Sequence, residues 1–260
     1  MRIEFRWNGR SYWADPKAAY DLSSALDFEG NQPTFFGLPR AQQRAIEAEG
    51  FVGDTTRGGG CNCRQLVLCP HGNGTHTESA QHLRPDAPAP AQAVNQPFLP
   101  ALLISLTPRP LGESGESYTR CGQDQDLVIS ASSLQEATAN QPLPPALIVR
   151  TLPNDERKRN GNYDENWAPY LTLDAVEWLG KSGVQHVIVD LPSIDRHDDG
   201  GELPNHHRFW DLLGDRATIT ELAFIPSHAM DGLYLLNLQL PHLLTDAVPS
   251  RPLILPAVEA

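Results

Sequence analysis

A single α/β domain built on a mixed sheet is the fold that this sequence predicts, on three observations. Its 260 residues at 40% apolar content are enough to bury one large core. Leu173, Val176 and Leu179 repeat at helical spacing and lead into the apolar run Val187-Ile188-Val189, the alternation of helix and buried strand typical of α/β chains. The 20 Gly and 23 Pro predict many turns and long connections, hence a chain in which strands outnumber helices.

The elements follow in chain order. Ile3, Phe5 and Trp7 alternate, and Asn8-Gly9 supplies the positive φ angles of a type I′ turn before Arg10-Ser11-Tyr12-Trp13, which predicts a β-hairpin. Pro39 to Glu49 begins with proline and is followed by Gly50, the punctuation of a short helix carrying Ala41, Ala45, Ile46 and Ala48. Arg84 to Pro100 is proline-rich and reads as an extended connector. The strands Ala101–Leu106, Leu127–Ser130 and Ala146–Thr151 beyond it need partners, which favours one domain over residues 1–260 with a long excursion at 84–100. Thr172 is an N-cap for the helix over Leu173, Val176 and Leu179, which Gly183 closes. Strand patterns follow at Gln185–Pro192, Ala217–Phe224 and Gly232–Leu240, and no internal repeat is visible.

Charge and composition narrow the function. Asp and Glu outnumber Lys and Arg by 32 to 20, and the net charge of −12 repels phosphate backbones and anionic lipid. Nucleic acid and membrane are therefore not expected partners. No apolar run reaches the roughly 18 residues of a membrane span, and the first residues lack the apolar stretch of a signal peptide, so a cytoplasmic address is expected. Cys61, Cys63, Cys69 and Cys121 are then reduced thiols, and Asn73-Gly74-Thr75 is not a glycosylation site.

The densest polar cluster is Cys69-Pro70-His71-Gly72-Asn73-Gly74-Thr75-His76-Thr77-Glu78-Ser79-Ala80-Gln81-His82. In an extended segment His76 and Glu78 point to the same side, so an imidazole and a carboxylate can meet one divalent cation. His82 lies far enough on to return over the same cavity. Leu203-Pro204-Asn205-His206-His207, ahead of the strand carrying Glu221, adds two imidazoles and a carboxylate, so that five of the 9 histidines fall in two short stretches.

These residues resemble the metal-dependent cyclase family, which includes bacterial kynurenine formamidases and isatin hydrolase. The family signature H-x-G-T-H-x-D-x-x-x-H stands here as Gly72-Asn73-Gly74-Thr75-His76-Thr77-Glu78-Ser79-Ala80-Gln81-His82. Further similarity runs through Tyr20-Asp21-Leu22-Ser23, Gly183–Asp195, the His206 region, Thr220-Glu221-Leu222 and Pro249-Ser250-Arg251-Pro252. The resemblance implies a cyclase-like, swivelling β/β/α fold with a small barrel-like β layer. It also implies a homo-oligomer, a dimer or tetramer, and one or two divalent ions, Zn²⁺ or Mn²⁺. His76 and Glu78 occupy metal-ligand positions, His82 that of the catalytic histidine, and His206 or His207 with Glu221 those of the later ligands.

Two positions depart from the signature. Glu78 replaces Asp, a carboxylate longer by one methylene that still suits Zn²⁺ or Mn²⁺. Gly72 stands where the family has its first histidine; His71 is adjacent, but a shift of one residue in a strand reverses the side chain, so only a bulge at Gly72 brings it in. Asp195 is expected to orient a histidine from behind, and Trp167, Tyr170 and Phe36 are candidates for an aromatic pocket wall.

The implied activity is hydrolysis of a small-molecule amide, N-formyl or cyclic, as in the arylformamidase step of tryptophan catabolism; an ester or lactone is the nearest variant. The rival reading is a non-catalytic relative that lost its first ligand and binds a small molecule or a protein partner. Other chemistries fail on spacing. Gly112-Glu113-Ser114-Gly115-Glu116 lacks the last glycine of a nucleophile elbow, Arg57-Gly58-Gly59-Gly60 has no Gly-Lys-Ser/Thr after it, and the acidic stretch Asp195–Glu202 does not match an EF-hand loop.

Overall fold

In the computed structural model, which describes residues 2–139 and 141–260, the N-terminal turn forms as its chemistry requires. Strands β1 (Ile3–Trp7) and β2 (Arg10–Ala14) pair antiparallel around Asn8 and Gly9, which hold φ of 46° and 75°. After β3 (Tyr20–Asp21) the chain departs from expectation. Residues 39–49 are not helical: β4 (Gln42–Ala45) pairs with β5 (Arg64–Val67), and Glu47–Ala48 pairs with Phe51–Val52. Alanines gave that segment too little apolar surface to hold a helix against a core. Gly50, at φ 72°, makes a hairpin turn instead of a helix stop.

Eight further strands complete, with β3, a curled mixed sheet. They are β6 (His76–Ser79), β7 (Phe98–Leu106), β8 (Ala146–Thr151), β9 (His186–Val189), β10 (Thr218–Glu221), β11 (Gly232–Asn237), β12 (Ala247–Pro249) and β13 (Leu253–Pro256). Nine strands lie in the order β12-β6-β10-β9-β8-β7-β11-β13-β3. Strands β10, β9, β8 and β7 are parallel, and all other neighbours are antiparallel. The cyclase-like α/β class is the observed one, with the sheet forming a half-barrel and few helices.

Three helices bear on the site: α1 (Pro70–Asn73), α2 (Leu173–Ser182) and α3 (Pro204–Leu213). Helix α2 starts and stops where the sequence signals it: Thr172 Oγ1 accepts from the Ala175 N–H, and Gly183 takes φ 81°. Helices α2 and α3 pack on one face of the sheet. Along β8, Leu147 and Val149 meet Val176, Leu179, Phe209 and Trp210, while Ala146 and Ile148 face the opposite core with Leu103 and Ile254. Burying strands on both faces is what makes their sequences continuously apolar.

The proline-rich connector is packed rather than free. Ala87, Ala89, Pro90 and Ala93 are buried or nearly so, Pro90–Ala93 makes one helical turn with proline at its first position, and β7 begins earlier than expected, at Phe98. No helix among the described residues is long and apolar enough to cross a membrane.

His186 opens β9, is 5% exposed, and pairs Nδ1 with Thr218 Oγ1 at 2.8 Å. Burial lowers its pKa to about 4. The unfolded chain regains the ordinary value, so stability present above about pH 6.5 is lost as the pH falls toward 4, by about 2 kcal/mol between pH 7 and pH 5. His186→Asn is expected to lose about 2 kcal/mol less than the wild type over that interval. Urea unfolding at the two pH values checks it, and equal losses would refute the assignment.

Candidate metal centre

The site begins with one antiparallel register. His76 stands opposite Glu221 and Glu78 opposite Ile219 across β6 and β10, so all four side chains share the face on which α2 and α3 pack. On the other face Thr77 and Thr220 join hydroxyls at 2.7 Å. Thr75 locks the approach to β6: its hydroxyl donates to the Leu222 carbonyl at 2.6 Å and accepts from the Ser24 N–H at 2.9 Å. His76 and Glu78 are fully buried, and Glu221 is 3% exposed.

His71 reaches this face by a route other than a bulge. Residues 70–73 form the helical turn α1, which begins with Pro70 and swings His71 toward Glu78, placing His71 Nδ1 3.2 Å from Glu78 Oε2. Gly72 is then pressed against the preceding loop, where a Cβ would lie 2.7 Å from Leu38 Cδ1 and 3.3 Å from the Phe35 carbonyl oxygen. A methyl fits there only if the end of the Leu38 side chain shifts. Gly72→Ala is expected to cost about 1–3 kcal/mol of stability, read by urea unfolding. An unchanged midpoint would show that Leu38 yields freely.

Helix α3 contributes His206, 2% exposed, while the adjacent His207 is exposed on the outer side of the helix, apart from the cluster. Neighbouring residues differ by 100° around a helix, so packing of Phe209 and Trp210 into the core turns His206 in and His207 out. Asp195 sits at the start of α3. It accepts from the Asn205 and His206 N–H groups at 2.8 and 3.1 Å, from His206 Nδ1 at 2.6 Å and from the Tyr118 hydroxyl at 2.7 Å.

A common pattern emerges: each inward imidazole has one nitrogen anchored on a protein acceptor and the other aimed at carboxylate oxygen. His76 Nδ1 bonds the Gly74 carbonyl at 3.0 Å, and its buried Nε2 has no hydrogen-bond partner among the described residues and lies 3.5 Å from Glu221 Oε2. His206 Nδ1 bonds Asp195, and its Nε2 lies 2.9 Å from Glu78 Oε1. His71 Nε2 bonds Asp246 Oδ2 at 2.8 Å and turns Nδ1 to Glu78. Neither oxygen of Glu78 has a satisfied hydrogen bond despite complete burial. Were these imidazoles neutral, anchored in this way they would present lone pairs to carboxylate lone pairs, so the arrangement requires positive charge between them, supplied by protons on the imidazoles or by a cation in their place.

The electrostatics state the same demand. Burial works against protonation of His71, yet hydrogen bonds to Asp246 and Glu78 outweigh it and raise its pKa to about 10. Burial of His206 is likewise overcome, by the charge of Glu78 and the bond to Asp195, and its pKa is raised well above the ordinary value. Glu78, which burial alone would neutralise, is held well below the usual carboxylate range by the charge of His206 and by the close approach of the His206 and His71 imidazoles. Two triads of donor atoms share Glu78: His71, His76 and Glu78, and Glu78, His206 and Glu221, each within 4.8 Å of one another. Such a nitrogen and oxygen donor set fits a divalent ion.

His82 ends a short turn over residues 80–82, part-exposed, with Nδ1 3.3 Å from Asp246 Oδ2 and its ring 4.3 Å from that of His71. A cavity of about 520 Å³ opens over the cluster. His71, Glu78, His82, His206 and Glu221 form its polar floor, and Phe35, Phe36, Leu38 and Leu203 its apolar wall. Phe36 therefore lines the cavity. Trp167, half exposed, packs against His197, ring centroids 5.3 Å apart, and does not line it; Tyr170 is buried elsewhere, beside Tyr118 and bonded to Asp126. Asp246 was not legible from the sequence, where it is a lone acid in a loop, and only the pairing of β12 with β6 delivers it.

A family model described as "Putative cyclase" matches residues 20–196. No curated protein matches the chain in sequence. Among solved structures, a predicted metal-dependent hydrolase from Bacillus stearothermophilus superposes with TM-score 0.61 at 15% identity, over 91% of this chain and 97% of that one. Isatin hydrolase A from Labrenzia aggregata, bound to benzyl benzoate, gives 0.62 at 17% identity, over 91% and 93%. A crystal structure of a novel cyclase gives 0.63 at 15%, over 94% and 90%. These structures share the fold, and the family match spans most of the chain, including the whole segment that carries His71, His76, Glu78 and His82: the chain belongs to the cyclase family.

Proposed function

We propose that the protein is a metal-dependent hydrolase that cleaves the carbon–nitrogen bond of an amide, N-formyl or cyclic, carried on an aromatic ring. The observation that carries this reading is the convergence of three anchored imidazoles on two buried carboxylates beneath an apolar cavity. Zn²⁺ or Mn²⁺ suits the mixed donors, and the two triads around Glu78 accommodate one ion or two. Phe36 stacks on the His197 imidazole, ring planes 13° apart, and the pair gives the cavity a flat aromatic wall suited to an aromatic substrate. That the chain acts as a dimer or tetramer in the cytoplasm is part of the same proposal.

His71, His76, Glu78, His206 and Glu221 would hold the ion. When bound, it polarises a carbonyl and brings the pKa of water toward neutrality. The chain's own residues do the rest. Asp195 fixes the tautomer of His206, so that Nδ1 keeps the proton and Nε2 faces inward. The Ile194 N–H bonds Glu221 Oε1 at 2.9 Å and so holds the carboxylate in one orientation. His82, at the cavity floor, accepts a proton from the attacking water and returns it to the leaving nitrogen, a task matched to an imidazole. Phe35, Phe36, Leu38 and Leu203 exclude water from the ring of the substrate.

The test is direct. Protein purified without chelator should carry at least about one divalent ion per chain, and should hydrolyse aryl formamides or cyclic amides faster than esters of the same ring. A chelator should abolish turnover, and Zn²⁺ or Mn²⁺ should restore it. Less than about a tenth of an ion per chain, with no hydrolysis on loading, would leave the non-catalytic binding reading in its place.

A further inference from the structure

The carboxylate of Asp246 meets two histidines at once. Its Oδ2 lies 2.8 Å from His71 Nε2 and 3.3 Å from His82 Nδ1, while Thr245 Oγ1 donates to Oδ1 at 2.9 Å. The backbone fixes this placement: the Asp246 carbonyl accepts from the Ser79 N–H at 3.2 Å, and Ala247 stands opposite Glu78 in the β12–β6 register. One oxygen is thus engaged locally, and the other is presented to imidazoles that come from two different turns.

We propose that Asp246 is a positioning residue for both histidines. It keeps the proton of His71 on Nε2, so that Nδ1 faces Glu78, and the proton of His82 on Nδ1, so that Nε2 is the nitrogen left for proton transfer. His76 has the Gly74 carbonyl for this purpose and His206 has Asp195; His71, carried by α1, has Asp246. The inference rests on the metal-dependent reading above. It extends that reading to a residue just ahead of the edge strand β12, far from the motif in sequence, and it makes one side chain responsible for both a ligand and a proton carrier.

The test uses the full chain with Zn²⁺ alone as probe, titrated against a chromophoric chelator. Asp246→Asn, nearly isosteric and on a part-exposed side chain, should fold as the wild type does and bind Zn²⁺ about 10–100-fold more weakly. Asp246→Glu, which keeps the charge, should recover most of that loss. Nitrogen-15 spectra of histidine-labelled protein, assigned by single-histidine replacement, supply a readout that a purely structural role would not move. In the Zn²⁺-loaded wild type His71 should carry its proton on Nε2 and His82 on Nδ1, and in Zn²⁺-loaded Asp246→Asn His82 should become a mixture of tautomers. If Asp246→Asn binds Zn²⁺ within about twofold of the wild type and the His82 tautomer persists, the inference is overturned while the metal reading stands. If the wild type itself takes up no Zn²⁺, the metal reading fails and the inference with it.

Discussion

Glu78→Gln is expected to strip the centre of its ion and lower kcat/KM by about 10⁴-fold, close to 5.5 kcal/mol of lost transition-state stabilisation. Glu78 belongs to both donor triads, is fully buried, and has His71 Nδ1 and His206 Nε2 within 3.2 and 2.9 Å. Gln keeps the shape but removes the charge and turns an NH₂ toward one imidazole. The anchored nitrogens are then left with Glu221 as their one carboxylate, and neither triad keeps its shared anionic donor. Elemental analysis should fall below about a tenth of an ion per chain, while circular dichroism stays that of the wild type. Full metal content in Glu78→Gln would mean that the ion is held elsewhere. Glu78→Asp, which restores the charge with a shorter reach, should lie between the two.

His82→Ala should have the opposite signature, with metal content unchanged and kcat reduced by about 10²–10⁴-fold. His82 is absent from the two triads that share Glu78, meets donor atoms only in a more exposed third triad with His71 and Asp246, stands at the cavity floor, and is bonded only to Asp246 among the described residues. Its loss removes a proton carrier and leaves the ligands in place. Added imidazole should restore part of the rate, because a small diffusible base can occupy the space the side chain leaves. Unchanged turnover, or loss of the metal together with activity, would remove His82 from that role.

Local signals were legible wherever local chemistry decides. Asn8-Gly9 fixes a hairpin because few other residues accept two positive φ angles, and Thr172 with Gly183 bounds α2 because both ends of a helix need partners for free backbone groups. The failures have equally specific causes. Residues 39–49 carry helix punctuation but an alanine stripe with little to bury, and a partner strand at Arg64–Val67 claims the segment. Helix α3 has Pro204 at its first position and Gly214 beyond its end, but Leu203, at φ 44° and without a side-chain cap, withholds the polar cap that would mark its start.

By itself the sequence determined the α/β class, the spacing that puts His76 and Glu78 on one face, and the family to which the chain belongs. Only the tertiary structure decided which of His206 and His207 turns inward, that His71 arrives on a helical turn, and that Asp246 closes the cluster while Tyr170 lies outside it. The physical reason is a difference of range. Spacing along a strand or helix is set by bonds between near neighbours. The phase of a helix, by contrast, follows from what its apolar side chains meet, and the register of β12, β6 and β10 from pairings between segments more than a hundred residues apart.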